Sequence, residues 1–331
     1  MIRQTGLYYC GDEIVKQLFN YCTVPGYEEA IRRTGKTLDE YLAMLGLDGI
    51  ELLVYRSEPY MRSFEKETVG AHLRSWYCWY DLWKNNKERL YQIFKTEDAM
   101  RDYYGGTQKR AWLLQIRRNI QAALIEKPEY LVYRVEEVTP AEQYSWVFEH
   151  TDAEVMKMAA RVFNRVHQEV PLETMVLFEN SWWPGLRLLQ PKQVETFLES
   201  IKLENIGLML DTGHLLNTNP DLKSEREGID YICQVLKNLG ELRKYIKGVH
   251  LSCSLSGEYQ RQSPQMIPSL ENDARLLSHV CNIDQHLPFT DPAIEKIFEL
   301  ISPDYLVHVL YYDDFNQMAV QLQKQKQLIK I

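Results

Sequence analysis

In "IGLMLDTGHLLNTNPDL" (206–222), Asp211 and His214 stand three residues apart where an apolar run stops. A carboxylate and an imidazole that leave one strand end together make two ligands for a cation, and Gly213 between them permits a tight backbone turn. The alternative for Asp211 is a cap on the following turn, a common use of aspartate. Three more ionisable side chains sit at the ends of apolar runs: His72 in "TVGAHLRS", Glu179 in "ETMVLFEN" and His250 in "YIKGVHLS". Asp284 and His286 flank Gln285 in "CNIDQHLPFTD", and on an extended backbone residues at i and i+2 project to the same side.

An ionised carboxylate is costly to bury unless it is paired or bound to a cation. If these carboxylates and imidazoles converge, a divalent metal is the economical compensation. Mixed His and carboxylate donors suit Zn2+, Mn2+ or Fe2+ better than Mg2+ or Ca2+, which favour all-oxygen shells.

Convergence requires a scaffold. Short runs rich in β-branched and aromatic residues predict strands at 5–10, 49–56, 68–75, 128–137, 173–180, 206–211, 245–252 and 304–312. Amphipathic segments between them predict helices at 37–46, 108–126, 152–168, 191–203, 225–240 and 315–329, with Thr151-Asp152 and Asp291-Pro292 as helix starts. Alternation of this kind is the pattern of a single-domain α/β (β/α)8 TIM barrel spanning 1–331. A doubly wound open sheet is the runner-up, but it usually carries a Gly-rich phosphate turn after an early strand, and the sequence has none. In a barrel, active-site residues gather at the C-terminal ends of the strands, which is where the candidates lie. The loops "RSEPYMRSFEKE" (56–67) and "RSWYCWYDLW" (74–83) follow the second and third predicted strands. They wall a pocket, form a lid, or pack their aromatic faces into the helical shell.

The composition agrees with a globular protein: 331 residues, 45% hydrophobic and 25% charged. A net charge of −8 disfavours a nucleic-acid partner, and "QKRAWLLQIRRN" (108–119), the one basic patch, has the spacing of an exposed helix face. Cys10, Cys22, Cys78, Cys233, Cys253 and Cys281 form no CxxC pair, which argues against a disulfide framework or a cysteine zinc site. The start lacks a signal-peptide pattern and no run of roughly 18 apolar residues occurs, so a cytoplasmic location without a membrane span is expected.

Taken together, Glu179 in "LFENSWWPG", "LDTGH" at 210–214, His250 in "GVHLS" and "DQH" at 284–286 resemble the xylose isomerase-like barrel superfamily. That group includes sugar-phosphate isomerases and epimerases, inosose dehydratases and isomerases, and endonuclease IV. The likeness spans roughly residues 68–330. It implies that Glu179, Asp211 and His250 hold a divalent metal. It also implies that His214, Asp284 and His286 form a second cluster like the separate zinc site of endonuclease IV, and that His72 is the third-strand histidine. Two departures stand out. Arg134 lies where the family has a fourth-strand histidine, and His308 or Val309 lies where it has an eighth-strand glutamate.

The resemblance implies a metal-dependent isomerase or epimerase acting on a sugar, sugar phosphate or polyol through an altered metal shell. Glu179 would be ligand and general base, Arg134 an anion clamp, and Trp182 and Trp183 would stack on the sugar or merely pack. The alternatives are an endonuclease IV-like phosphodiesterase and a degenerate barrel that binds a small ligand without catalysis.

Overall fold

The computed structural model describes residues 15–22, 26–55, 63–265, 273–312 and 314–330. Parallel strands β1 (Lys16–Cys22), β2 (Gly49–Val54), β3 (Thr68–Leu73), β4 (Tyr130–Arg134), β5 (Met175–Glu179), β6 (Ile206–Asp211), β7 (Ile246–Leu251) and β8 (Tyr305–His308) pair in chain order, and β8 returns to β1 to close a barrel. Period-two alternation divides each strand between two cores. Leu18, Tyr130, Val132, Leu177, Met209 and Val307 pack within the barrel. Phe19, Ile50, Val176, Phe178, Leu208 and Val249 pack outward beneath the helices. Gly70 lacks the Cβ that would collide with the Tyr130 ring, so the tyrosine can fill the barrel floor.

The helices that carry this shell start where their side chains can cap them. Thr151 opens Asp152–Phe163 with a capping box to Glu154, and Asp291 caps the turn Pro292–Ile294. Lys109–Leu124 buries Trp112, Ile116 and Ile120 and leaves its arginines on the outer face, as the spacing of the basic patch predicts.

One expectation changes and two alternatives are decided. The predicted strand 5–10 lies outside the described residues, and the strand that closes the barrel is instead Lys16–Cys22. Gln17 and Asn20 interrupt the apolar run in "KQLFNYC", which hid it. Second, the aromatic run 74–83 packs into the shell: Trp79 stacks on Trp112 with 5.8 Å between ring centres and donates to the Glu136 carbonyl at 2.7 Å. Of the preceding loop, 56–62 lie outside the described residues.

Third, the eighth-strand alternative resolves. Val307 is opposite His250 in the ladder and faces inward, so Val309 shares its side and joins the interior cluster. His308 points outward, with Gln325 Nε2 2.9 Å from its Nδ1 and Gln17 Oε1 3.3 Å from its Nε2. It cannot close a shell inside the barrel. Among the described residues no helix is long and apolar enough to cross a membrane.

Candidate metal centre

Strand register sets the floor of the site. Arg134 is opposite Glu179 across β4 and β5, and Asp211 is opposite His250 across β6 and β7. Arg134, Glu179 and Asp211 end their strands, and His250 stands one residue before the end of β7, all at the same mouth of the barrel. Glu179, Asp211, His214 and His250 are each no more than 2% exposed, so their charges must be met by one another or by a cation.

Asn180 fixes the exit of β6. Its side chain receives the Asp211 N–H at 2.7 Å and donates to the Asp211 carbonyl at 2.9 Å. Its own carbonyl lies 2.8 Å from His214 Nδ1, so Nδ1 carries the proton and Nε2 is turned into the site. The two oxygens of Asp211 face different partners. Oδ1 caps the helix Thr212–Leu216 by accepting the His214 N–H at 2.7 Å, while Oδ2 stands 3.5 Å from His250 Nδ1 and 3.6 Å from His214 Nε2. Gly213 is needed for space rather than for a turn of unusual handedness. A Cβ there would come within 2.7 Å of Ser252 Oγ and 3.1 Å of Ser254 Oγ.

Glu179 is the hub. Oε1 is 2.8 Å from His250 Nδ1; Oε2 is 3.2 Å from His72 Nε2 and 2.6 Å from Arg134 Nε. Arg134 also brings a terminal nitrogen to 3.3 Å from His214 Nε2. Beside this hub, Asp284 Oδ2 stands 2.9 Å from His286 Nε2 and 3.2 Å from His214 Nε2. Asp284 thus stands between His214 and His286, and the backbone here is not extended: His286 has φ 49°, a left-handed conformation that a non-glycine residue adopts at a cost.

Every candidate residue thus reaches the same mouth: His72, Arg134, Glu179, Asp211, His214, His250, Asp284 and His286. Trp182 and Trp183 are buried and pack around Val138 and Ile283, with Trp182 against the His214 ring at 4.7 Å. The reading that they merely pack is the one that fits.

One residue escaped the sequence reading. Glu51 on β2 is 1% exposed and stands 2.9 Å from His250 Nε2, with the Tyr130 hydroxyl donating to it at 2.8 Å. Its signal in the sequence is an ionisable residue inside the otherwise apolar strand "GIELLV", away from the strand end.

The electrostatics follow from burial and pairing. Burial alone would push the Glu179 carboxyl up; Arg134, then His72 and His214, outweigh it and hold the group well below the usual carboxylate range. Asp284 is likewise held low, against burial, by His286 and His214. Burial depresses His214, but Asp211, Asp284 and Glu179 win against it and against Arg134, raising it to about 9. His250 is raised well above its ordinary value by Glu51, Asp211 and Glu179, again against burial.

These donors suit a divalent ion. Ligand atoms at about 2.0–2.2 Å from a tetrahedral ion stand roughly 3.3–3.6 Å apart. The side-chain atoms of His72, Glu179 and His250 lie within 4.8 Å of one another, as do those of Glu179, Asp211 and His214. The donor chemistry fits Zn2+, Mn2+ or Fe2+. Arg134 is the one dissonant element, a fixed cation already seated on the hub.

No family model and no curated protein sequence matches the chain. Solved structures do. A D-psicose 3-epimerase crystallised in the presence of D-fructose aligns over 95% of this chain and 97% of its own, with TM-score 0.54 and 11% identity. A xylose isomerase candidate from Rhodospirillum rubrum aligns over 95% and 99%, with TM-score 0.50 and 13% identity. Endonuclease IV from Thermus thermophilus gives TM-score 0.49 at 11% identity, over 95% and 98%. At these identities the likeness is one of architecture alone, that of a (β/α)8 barrel.

Proposed function

We propose that this protein is a divalent-metal-dependent isomerase or epimerase acting on a sugar, sugar phosphate or polyol. The observation that carries the reading is the meeting of Glu179, Asp211 and His250 at the barrel mouth, with His250 Nδ1 2.8 Å from Glu179 and 3.5 Å from Asp211. These three would hold the ion, and His214, Asp284 and His286 would hold a second. A bound ion of this kind polarises a substrate carbonyl. Glu179, kept in its charged form by its neighbours, would take a proton from the carbon beside that carbonyl and give it back to the neighbouring carbon of the enediolate, closing the isomerisation without net proton change. Arg134 holds an anionic substrate group through the part of its guanidinium that Glu179 leaves free; one terminal nitrogen is 3.8 Å from Glu136, beyond hydrogen-bonding range. Cys78, Cys233, Cys253 and Cys281 are free thiols, which supports a reducing, cytoplasmic compartment.

The test is exchange. Metal-loaded protein incubated with ketoses and aldoses in D2O should place deuterium on the carbon next to the carbonyl, and Glu179→Gln should abolish it. Incorporation that persists in Glu179→Gln would remove the base assignment, and no incorporation with any sugar or sugar phosphate would remove the isomerase.

Two observations favour other readings. The cluster of His214, Asp284 and His286 beside the first donor set supports a multi-ion phosphodiesterase like endonuclease IV. The net charge of −8 weighs against a DNA substrate. Salt-sensitive binding to DNA containing an abasic site would favour the phosphodiesterase over the isomerase. Val309 at the eighth strand and Arg134 on the hub support a barrel that binds a ligand without turning it over.

A further inference from the structure

Glu51 sits below the centre, on the opposite side of His250 from Glu179, and the inference drawn from it rests on the metal-centre reading above. Its carboxylate is 1% exposed, and among the described residues no lysine or arginine pairs with it. Its partners are Tyr130, whose hydroxyl donates to Oε2 at 2.8 Å, and His250, whose Nε2 stands 2.9 Å from Oε1 and 3.0 Å from Oε2. On the far side of the same imidazole, Nδ1 faces Glu179 at 2.8 Å and Asp211 at 3.5 Å. His72 lies over the ring at 5.8 Å with 21° between planes, so the imidazole is held in both tilt and rotation. A line of contacts thus runs from Tyr130 on the barrel floor through Glu51 and His250 to the donor set.

We propose that Glu51 is the positioning carboxylate of the metal centre. It keeps a proton on His250 Nε2 and thereby makes Nδ1 the coordinating atom. A carboxylate behind a ligating imidazole fixes its tautomer and orientation and strengthens it as a donor, and losing such a partner typically costs 10–100-fold in metal affinity. With Val309 at the end of the eighth strand, the carboxylate supplied from β2 supports the centre from beneath instead of joining its rim. Tyr130 orients Glu51 in turn. Packing alone does not account for the residue, because a leucine would fill "GIELLV" without a buried charge to satisfy.

The test uses Zn2+ as the probe, titrated against a chromophoric chelator with wild type, Glu51→Gln, Tyr130→Phe and His250→Ala. It adds 15N–1H spectra of the zinc-loaded wild type labelled at histidine. The expected result is a dissociation constant weakened about 10–100-fold by Glu51→Gln and by less in Tyr130→Phe. In the spectra, His250 should show a protonated Nε2 and a ligated Nδ1. A purely structural Glu51 would lower the unfolding midpoint of Glu51→Gln but leave its zinc affinity at the wild-type value, and that overturns the proposal. Coordination through Nε2, with Glu51 itself on the ion, overturns it too. If Glu51→Gln does not fold, the tautomer in wild type and the affinity of Tyr130→Phe decide. Wild type and His250→Ala binding equal amounts of zinc would bring down the metal-centre reading together with this one. Zinc lost in His250→Ala but retained at full affinity in Glu51→Gln would overturn this inference alone.

Discussion

Arg134 Nε stands 2.6 Å from Glu179 Oε2, and the ladder between β4 and β5 places the two residues directly opposite each other. The guanidinium lies against the same carboxylate that the proposed ion needs, so a fixed charge and a mobile one share a single anion. Removing the arginine leaves Glu179 fully buried without its strongest partner. In metal-free protein, Arg134→Ala should therefore lose about 3–5 kcal/mol of stability, the usual cost of breaking a buried pair from one side. Zn2+ should recover more of that loss in the variant than it adds to wild type, because the ion takes over the vacated charge. Denaturant unfolding with and without a chelator measures both. Equal stabilisation of the two proteins by Zn2+ would show that the arginine and the ion do not share Glu179.

The two donor groups make separate demands on metal content. His250 reaches Glu179 and Asp211, whereas His286 reaches Asp284 alone among the described carboxylates. Elemental analysis should find two divalent ions per chain in wild type, with His250→Ala and His286→Ala each removing a different one. Loss of both ions from either single variant would mean one shared site.

Much of this centre was legible because of where its charges fall. Glu179, Asp211 and His250 each end a run that is otherwise apolar, and an ionisable side chain there needs a partner. The ladder then brings them together. Glu51 has the same chemistry but lies within β2, and reading it required knowing that its side chain points inward, toward His250 rather than toward the helices. Period two alone cannot phase a strand as short as Tyr305–His308, so the choice between His308 and Val309 needed the pairing of Val307 with His250. The first strand was hidden for a different reason. Gln17 satisfies His308, and Asn20 lies in the ladder opposite Glu51, so the polar residues that disguise β1 belong to the barrel's own polar surroundings.

Glu137, just beyond β4, is 2% exposed. Burial, followed by Glu142, Asp81 and Glu149 and against Arg89, pushes its carboxyl up to about 9. The unfolded chain releases that proton near the usual carboxylate value of about 4.3. Between these limits the folded state binds more protons, so the contribution of Glu137 to stability falls as pH rises from about 4.3 and is fully lost above about 9. Glu137→Gln, neutral at every pH, should remove this slope and be more stable than wild type at pH 8 by at least about 1 kcal/mol. Urea unfolding at pH 5 and pH 8 compares the two, and parallel curves for variant and wild type would rule the buried acid out as the source.

His308 makes the opposite demand. Burial, and then the nearby Lys326 charge, lowers it to about 3. Its surroundings suit only the neutral ring: Gln325 donates to Nδ1 at 2.9 Å, and Gln17 Oε1 faces Nε2 at 3.3 Å. An unfolded histidine takes up a proton near pH 6.5. Between about 3 and 6.5 the unfolded state therefore binds more protons, so the stability His308 confers is complete above about 6.5 and drains away as pH falls. The slope is at most about 1.4 kcal/mol per pH unit for one proton. His308→Gln, which can still accept from Gln325 and donate to Gln17, should flatten unfolding stability between pH 4 and pH 6. Because His308 faces the helices and not the barrel mouth, the same variant should keep the metal content of wild type. Loss of an ion from His308→Gln would mean that the eighth strand does reach the centre, and the inward phase assigned to Val309 would have to be abandoned.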